Sequence, residues 1–110
     1  MTEELNAKWR ELLAVNRTWW WPGMLVQDGD RYTEESRYPR SVRVPDWRDP
    51  ATLGCLLAMV RKAWGDDEIY FGSSLNTKRK RWSWVMRGVD RIGQGDTEAE
   101  ALLAALEAAP

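Results

Sequence analysis

Apolar residues recur at helical spacing near the start of the chain, with charged residues such as Glu4 and Lys8 between them. Spacings of three and four residues place side chains on one face of an α-helix. The pattern therefore predicts an amphipathic surface helix over residues 3–14. Its apolar face consists of Leu5, Trp9, Leu12 and Leu13.

Two further helices carry start and stop signals. Asp49 suits the N-cap, Pro50 suits the first helical position, and Gly65 suits the position after the last. The apolar residues between them lie along one stripe and predict a heavily buried helix. Thr97 and Glu100 match the capping box S/T-x-x-E and predict a last helix that runs to about residue 109.

Short extended segments separate these helices. Segments 24–26 and 31–33 flank an Asp28-Gly29 turn signal, and segment 41–44 is a further short strand. Segments 68–72 and 81–86 predict a hairpin, and 89–92 either continues the second strand past Gly88 or forms a third. We expect a single α+β domain over residues 1–110. Its antiparallel or mixed sheet has about four to five short strands flanked by three helices, in the order α-ββ(β)-α-ββ-α.

Composition narrows the function classes. The 110 residues include no histidine, which removes the commonest general base and metal ligand, and one cysteine, Cys55, which excludes an internal disulfide. Asp66, Asp67 and Glu68 follow a helix end, where adjacent carboxylates usually form a solvated turn. No long apolar run or signal peptide is evident. We therefore expect a cytoplasmic protein that is not an enzyme and has no cofactor, metal site or membrane partner.

The segment NTKRKRWSWVMRG, residues 76–88, places four cations before a Trp-Ser-Trp step. Strand alternation assigns Trp82 and Trp84 to one face, and we expect that face to pack under a helix. The cations then form a projecting hairpin tip that meets an acidic surface. In the alternative, the indoles stack bases while the cations neutralise phosphates. The four cations are Lys78, Arg79, Lys80 and Arg81.

Eight tryptophans are more than a core of this size needs. In the run Trp19, Trp20 and Trp21, an extended backbone sends successive side chains to opposite faces, so at least one indole should be partly exposed. Tryptophan is enriched in interface hot spots. We therefore expect a partner-binding surface made of an exposed member of this run together with the hairpin cations.

Residues 45–66, PDWRDPATLGCLLAMVRKAWGD, followed by a hairpin and TEAEALLAALEAA at 97–109, resemble small uncharacterised bacteriophage or prophage proteins of the α-β-α sandwich type. The resemblance carries no site residues. It implies a binder that inhibits a host factor, as an anti-CRISPR protein does, and whose partner is a host protein or ribonucleoprotein complex with an acidic surface. Two alternatives stay open: a single-stranded nucleic-acid module that uses the 78–84 hairpin, and a sponge for signalling nucleotides.

Overall fold

A computed structural model describes residues 2–27, 31, 44–75 and 80–110. The chain divides into two compact units, residues 1–55 and 56–110. The expectation of one domain over the whole chain stays a prediction. The helices are α1 (Thr2–Ala14), α2 (Pro50–Trp64) and α3 (Glu98–Glu107), and the strands are β1 (Tyr70–Leu75), β2 (Arg81–Arg87) and β3 (Asp90–Gly95).

All three predicted helices are confirmed, and two of them, α2 and α3, have the predicted capping residues at their ends. Asp49 accepts a hydrogen bond from the backbone N–H of Thr52 at 2.9 Å, which satisfies one free donor of the first turn of α2. The left-handed backbone of Gly65 (φ 65°) then ends the helix. At α3, Thr97 accepts from the N–H of Glu100 at 3.2 Å, while the Glu100 carboxylate accepts from the N–H of Asp96.

The first unit has a tryptophan core. Trp9 of α1 is fully buried and makes edge-to-face contacts with Trp20 and Trp47, at centroid distances of 5.2 Å and 6.0 Å. Trp47 donates its indole N–H to Asn6 Oδ1 at 2.8 Å. This contact joins α1 to the segment before α2, so aromatic burial and one side-chain hydrogen bond hold distant parts of the sequence together.

The second unit is an antiparallel sheet with the strand order β1-β2-β3, and α3 packs against it. Phe71 pairs with Val85, which in turn pairs with Gly93. A two-residue turn with Gly88 at positive φ joins β2 to β3, as hairpin turns of this length require. Residues 90–92 therefore belong to a third strand, and Val89 belongs to the turn.

The prediction of four to five strands is not confirmed. Within the described parts of the chain, the structure has one three-stranded sheet, and residues 25–45 contribute isolated bridges, Leu25 to Arg31 and Val26 to Pro45. The predicted segment 41–44 lies outside the described residues except for Val44, and 31–33 lies outside except for Arg31. The α+β class and the three helices stand.

The backbone of α3 lies almost directly on β3. A Cβ atom placed on Gly93 would overlap the carbonyl oxygen of Ala101 and lie 2.8 Å from the nitrogen of Ala105. One placed on Gly95 would lie 2.5 Å from the Cβ of Glu100. Glycine on the strand and alanine one turn apart on the helix permit this distance, because neither carries a long side chain into the interface.

None of the described helices is both long enough and apolar enough to cross a membrane.

We expect Gly93→Ala to lower the free energy of unfolding by about 2–3 kcal/mol, because the added methyl group collides with helix backbone that cannot yield as a side chain can. Gly54→Ala is the matched control. Gly54 lies in α2 with no neighbouring atom within 4 Å of an added Cβ, so alanine should raise stability by about 0.5–1 kcal/mol. Urea denaturation of both variants measures the difference. Equal effects of the two substitutions would contradict the close packing of α3 on β3.

A second prediction concerns pH and the N-cap of α2. Hydrogen bonds from Arg31 and Thr52 lower the pKa of Asp49 below its ordinary value. A carboxylate with a depressed folded-state pKa stabilises the fold above its unfolded pKa, and this contribution disappears as pH falls through the folded value. At neutral pH, Asp49→Ala should therefore cost about 1 kcal/mol. The gap should shrink below about pH 4, the ordinary range of an aspartate pKa.

Asp49→Asn is the control for that prediction, because asparagine keeps an N-cap acceptor but does not titrate in this range. At neutral pH its stability should lie between those of the wild type and Asp49→Ala, because it keeps the cap acceptor but loses the ion pair with Arg31. The difference between Asp49→Asn and Asp49→Ala should then persist at low pH, as measured by thermal unfolding across the pH series. If the stability difference between the wild type and Asp49→Ala increased as the pH fell, the pKa of Asp49 would be raised by folding, and the prediction would be wrong.

Candidate functional site

The two faces of the sheet have different chemistry. The helix-packed face, which α3 covers, includes Phe71, Ser73, Ser83, Val85, Gly93 and Gly95. The register also places Leu75 and Arg81 on this side, at the end of the hairpin stem. Ser83 and Val85 are fully buried, at 1% and 0% exposure. Ser73 Oγ lies 2.7 Å from Ser83 Oγ and donates to Glu98 Oε1 at the start of α3. These contacts place the small residues of the strands under the helix.

The expectation that Trp82 and Trp84 pack under a helix is therefore wrong. The alternation predicted for β2 holds, but its assignment to core and surface is inverted: Ser83 and Val85 face α3, and both tryptophans lie half-buried on the opposite side. The reason is steric. With the helix backbone in contact with Gly93 and Gly95, that side of the sheet has no room for an indole.

The opposite side is called the aromatic face here. It is defined by Tyr70 and Gly72 of β1, by Trp82, Trp84 and Met86 of β2, and by Arg91 and Gln94 of β3. The pairs Tyr70–Met86, Gly72–Trp84 and Trp84–Gln94 are cross-strand neighbours, which confirms that these positions share one side of the sheet.

The Trp84 ring lies over Gly72, its partner on the neighbouring strand, which carries no side chain. A Cβ atom placed on Gly72 would lie 2.5 Å from Cη2 of the indole and 2.8 Å from Cζ2. Tyr70 meets the Trp84 ring edge-on, at a centroid distance of 5.8 Å and an interplanar angle of 88°. Tyr70 itself is 46% exposed. Gly72 thus provides the space in which the Trp84 ring lies, and Tyr70 limits it on one side.

Trp82 carries a cation on its ring. The guanidinium carbon of Arg91 lies 4.6 Å from the Trp82 ring centroid, within the range of a cation–π contact. Arg91 Nη1 also donates to Gln94 Oε1 at 2.9 Å. The register of β2 and β3 shifts between Val85 and Met86, which places Arg91 opposite Met86. Among the seven residues that define the aromatic face, Arg91 carries a charge and no residue carries a carboxylate.

The predicted hairpin cations are only partly described. Lys80 and Arg81 are exposed at the start of β2, and Arg81 pairs with Leu75 at the end of the hairpin stem. Lys78 and Arg79 lie outside the described residues. Two exposed cations therefore directly precede Trp82 in the chain. The role of the four residues in binding stays a prediction.

The tryptophan run of the first unit offers little ring surface. Trp19 and Trp20 are buried, at 6% and 0% exposure, and Trp21 is half-buried. Trp21 lies 5.7 Å from Trp19 between ring centroids. Of the three predicted contact residues, Trp21 is the one that keeps part of its surface accessible. Binding of a partner by this run stays a prediction.

The described residues give little support to a cysteine nucleophile or to a metal site. Burial raises the pKa of the Cys55 thiol, which disfavours the reactive thiolate. The thiol instead points to the carbonyl oxygen of Pro22 at 3.6 Å. Among the described residues, no three aspartate, glutamate or cysteine side chains are grouped to hold a metal ion.

Sequence reasoning missed four members of the aromatic face: Tyr70, Gly72, Arg91 and Gln94. A signal for the face was available in the small residues of the strands. Ser83 alternates with two tryptophans in β2, and β3 carries the glycine pair Gly93 and Gly95. Small residues at alternate positions mark the side where a helix approaches closely, and this would have placed the indoles on the other side.

Comparison of the chain with protein-family models, curated proteins and solved structures found no match. The resemblance to phage proteins stays a prediction.

We expect Gly72→Ala to displace the Trp84 ring, because the new methyl group would occupy its place. A double-mutant cycle with Trp84→Ala isolates this clash. Alone, Gly72→Ala should destabilise by about 1–2 kcal/mol through overpacking. In the Trp84→Ala background, it should be neutral or stabilising by about 0.5–1 kcal/mol, since alanine then only replaces a flexible glycine. Denaturation of the four proteins gives the coupling energy. A coupling near zero would mean that the indole does not lie over Gly72.

Proposed function

We propose that this protein binds single-stranded nucleic acid on the aromatic face, without catalysis. The observation that carries the proposal is the position of Trp82 and Trp84, which share a sheet face that α3 does not occupy. Indoles packed under a helix could not stack bases, but Trp82 and Trp84 lie on the side of β2 opposite α3. Ser83 and Val85 fill that buried position instead.

Stacking supplies affinity on such a face. Alternate residues of a strand are separated by about 6.6 Å, so Trp82 and Trp84 present neighbouring rings along one line, with Arg91 over one face of the Trp82 ring. A base stacked on an aromatic side chain contributes about 1–3 kcal/mol, and every base has a π-face. A duplex hides those faces within its own stack, whereas an extended single strand offers them. The expected ligand is therefore a single strand.

Positive charge supports the same ligand. Arg91 lies within the face, and Lys80 and Arg81 directly precede Trp82 in the chain, with Arg81 on the opposite side of β2 by strand alternation. In the sequence, Lys78 and Arg79 continue this run. A nucleic-acid strand stacked on the indoles would therefore pass these cations as it leaves the face. The cations would neutralise its phosphates and so release bound counterions. The net charge of the whole chain is only −1, so this attraction is local and strongly dependent on salt.

The other functions stay predictions. A host-factor inhibitor related to phage proteins was expected to use an exposed member of Trp19 to Trp21, and two of those three rings are buried. A nucleotide sponge would use a single ring of the aromatic face, whereas two rings in line suit a polymer. A cytoplasmic location is compatible with each of these functions.

The test is binding of a thymidine oligomer of about eight nucleotides, within the site sizes of single-strand-binding folds, followed by quenching of tryptophan fluorescence. At about 50 mM salt, the wild type should bind and should lose affinity as salt rises. Trp84→Leu should weaken binding about 5- to 150-fold, the equivalent of one stacked base. Because Trp84 reports on its own environment, a labelled oligomer followed by anisotropy gives the dissociation constants.

Trp21→Leu is the matched control, since it removes a half-buried indole of the first unit and should leave affinity unchanged. Circular dichroism confirms that each variant is folded. The proposal fails if the folded wild type does not bind the oligomer at low salt. It also fails if Trp84→Leu and Trp21→Leu bind as tightly as the wild type.

A further inference from the structure

Arg91 occupies an unusual place for a cation that would contact phosphate. On a stacking surface the bases lie over the rings, and the phosphates run along the edge. Arg91 instead extends over the Trp82 ring, with its guanidinium carbon 4.6 Å from the centroid. A cation among the rings is positioned for contact with a base rather than with the backbone of the strand.

The guanidinium is held in this place from two sides. Trp82 lies beneath it, and Gln94 accepts one of its hydrogen bonds at 2.9 Å. Gln94 is the cross-strand neighbour of Trp84. The guanidinium is thus hydrogen-bonded to the side chain that pairs with Trp84 across the two strands. Holding a side chain in its binding geometry reduces the entropy lost when the ligand arrives.

The remaining donors define what such a base must offer. A guanidinium has five N–H donors in a planar fork and no acceptor, and the bond to Gln94 uses one of them. Guanine presents two adjacent acceptors, O6 and N7, which match that fork bidentately. Adenine presents N7 beside an amino donor, which opposes the fork, and thymine presents one carbonyl on the corresponding edge.

We infer that Arg91 recognises guanine, so that the aromatic face prefers single strands in which a guanine stacks on Trp84. The inference rests on the proposed function and names its sequence preference. Trp84 provides the stacking surface, Arg91 donates to O6 and N7, and Gln94 positions Arg91. A point charge without the planar fork, such as lysine, cannot make the paired contact.

The experiment compares thymidine oligomers of about eight nucleotides that differ at one central position, either thymidine, deoxyadenosine or deoxyguanosine. The wild type should bind the guanine oligomer about 5- to 150-fold more tightly than the other two, as one bidentate base contact does. Replacing guanine by 7-deazaguanine removes N7 and should abolish most of the preference. Inosine keeps O6 and N7 and should retain it.

Arg91→Lys separates base recognition from phosphate contact. For base recognition, it should abolish the guanine preference while the affinity for the thymidine oligomer stays close to that of the wild type. For a phosphate contact, Arg91→Lys would bind every oligomer like the wild type. Arg91→Ala would then lower the salt slope of all oligomers equally, by about 0.7. That second pattern overturns the inference.

Arg87→Lys is the matched control. Arg87 belongs to the same sheet, but it lies over Trp64 and pairs with Asp66 at 3.3 Å, outside the aromatic face. This variant should keep the full guanine preference. Equal affinity of the wild type for the three oligomers rejects guanine recognition while leaving the proposed function intact. Absence of binding to all three rejects the proposed function itself.

Discussion

The close approach of α3 to β3 is the constraint on which the second unit depends. Helix backbone lies where the Cβ atom of Gly93 would otherwise stand, and the Glu100 side chain lies where that of Gly95 would, so this side of the sheet accepts only small or compact side chains. Ser83 and Val85 meet that limit, and their burial leaves the alternate positions of β2 to the other side. The aromatic face is therefore a consequence of how tightly the helix packs.

A missing side chain also decides the packing on the aromatic face. Gly72 lacks a side chain, and the Trp84 ring fills the volume that one would take. On the neighbouring ring, Arg91 gains a cation–π contact and a hydrogen bond instead of full hydration. Both indoles thus have defined surroundings although neither is in a core. Such ordering favours recognition of a planar ligand, since less conformational freedom remains to be lost on binding.

Local signals made the helices predictable, and non-local contacts limited the prediction of the site. Asp49, Gly65 and Thr97 act on residues within one turn, so their effect can be inferred from a short segment. The face on which Trp82 lies depends on a helix whose contacts come from residues 101–105. Alternation along β2 correctly separated its two sets of side chains. Hydrophobicity alone, however, assigned the set with the bulky indoles, Trp82 and Trp84, to the core. Packing distance reversed that assignment.

The sequence by itself determined the α+β class, the three helices to within about two residues at their ends, and the presence of a hairpin, although β1 covers Tyr70–Leu75 instead of the predicted 68–72. Each depends on backbone propensities and capping groups that lie close together in the chain. Only the tertiary structure decided which face of the sheet α3 covers, and hence that Arg91 and Gln94 join Trp82 and Trp84 on the opposite face. The reason is that steric exclusion between a helix and a strand is a property of the distance between them, and no local pattern specifies that distance.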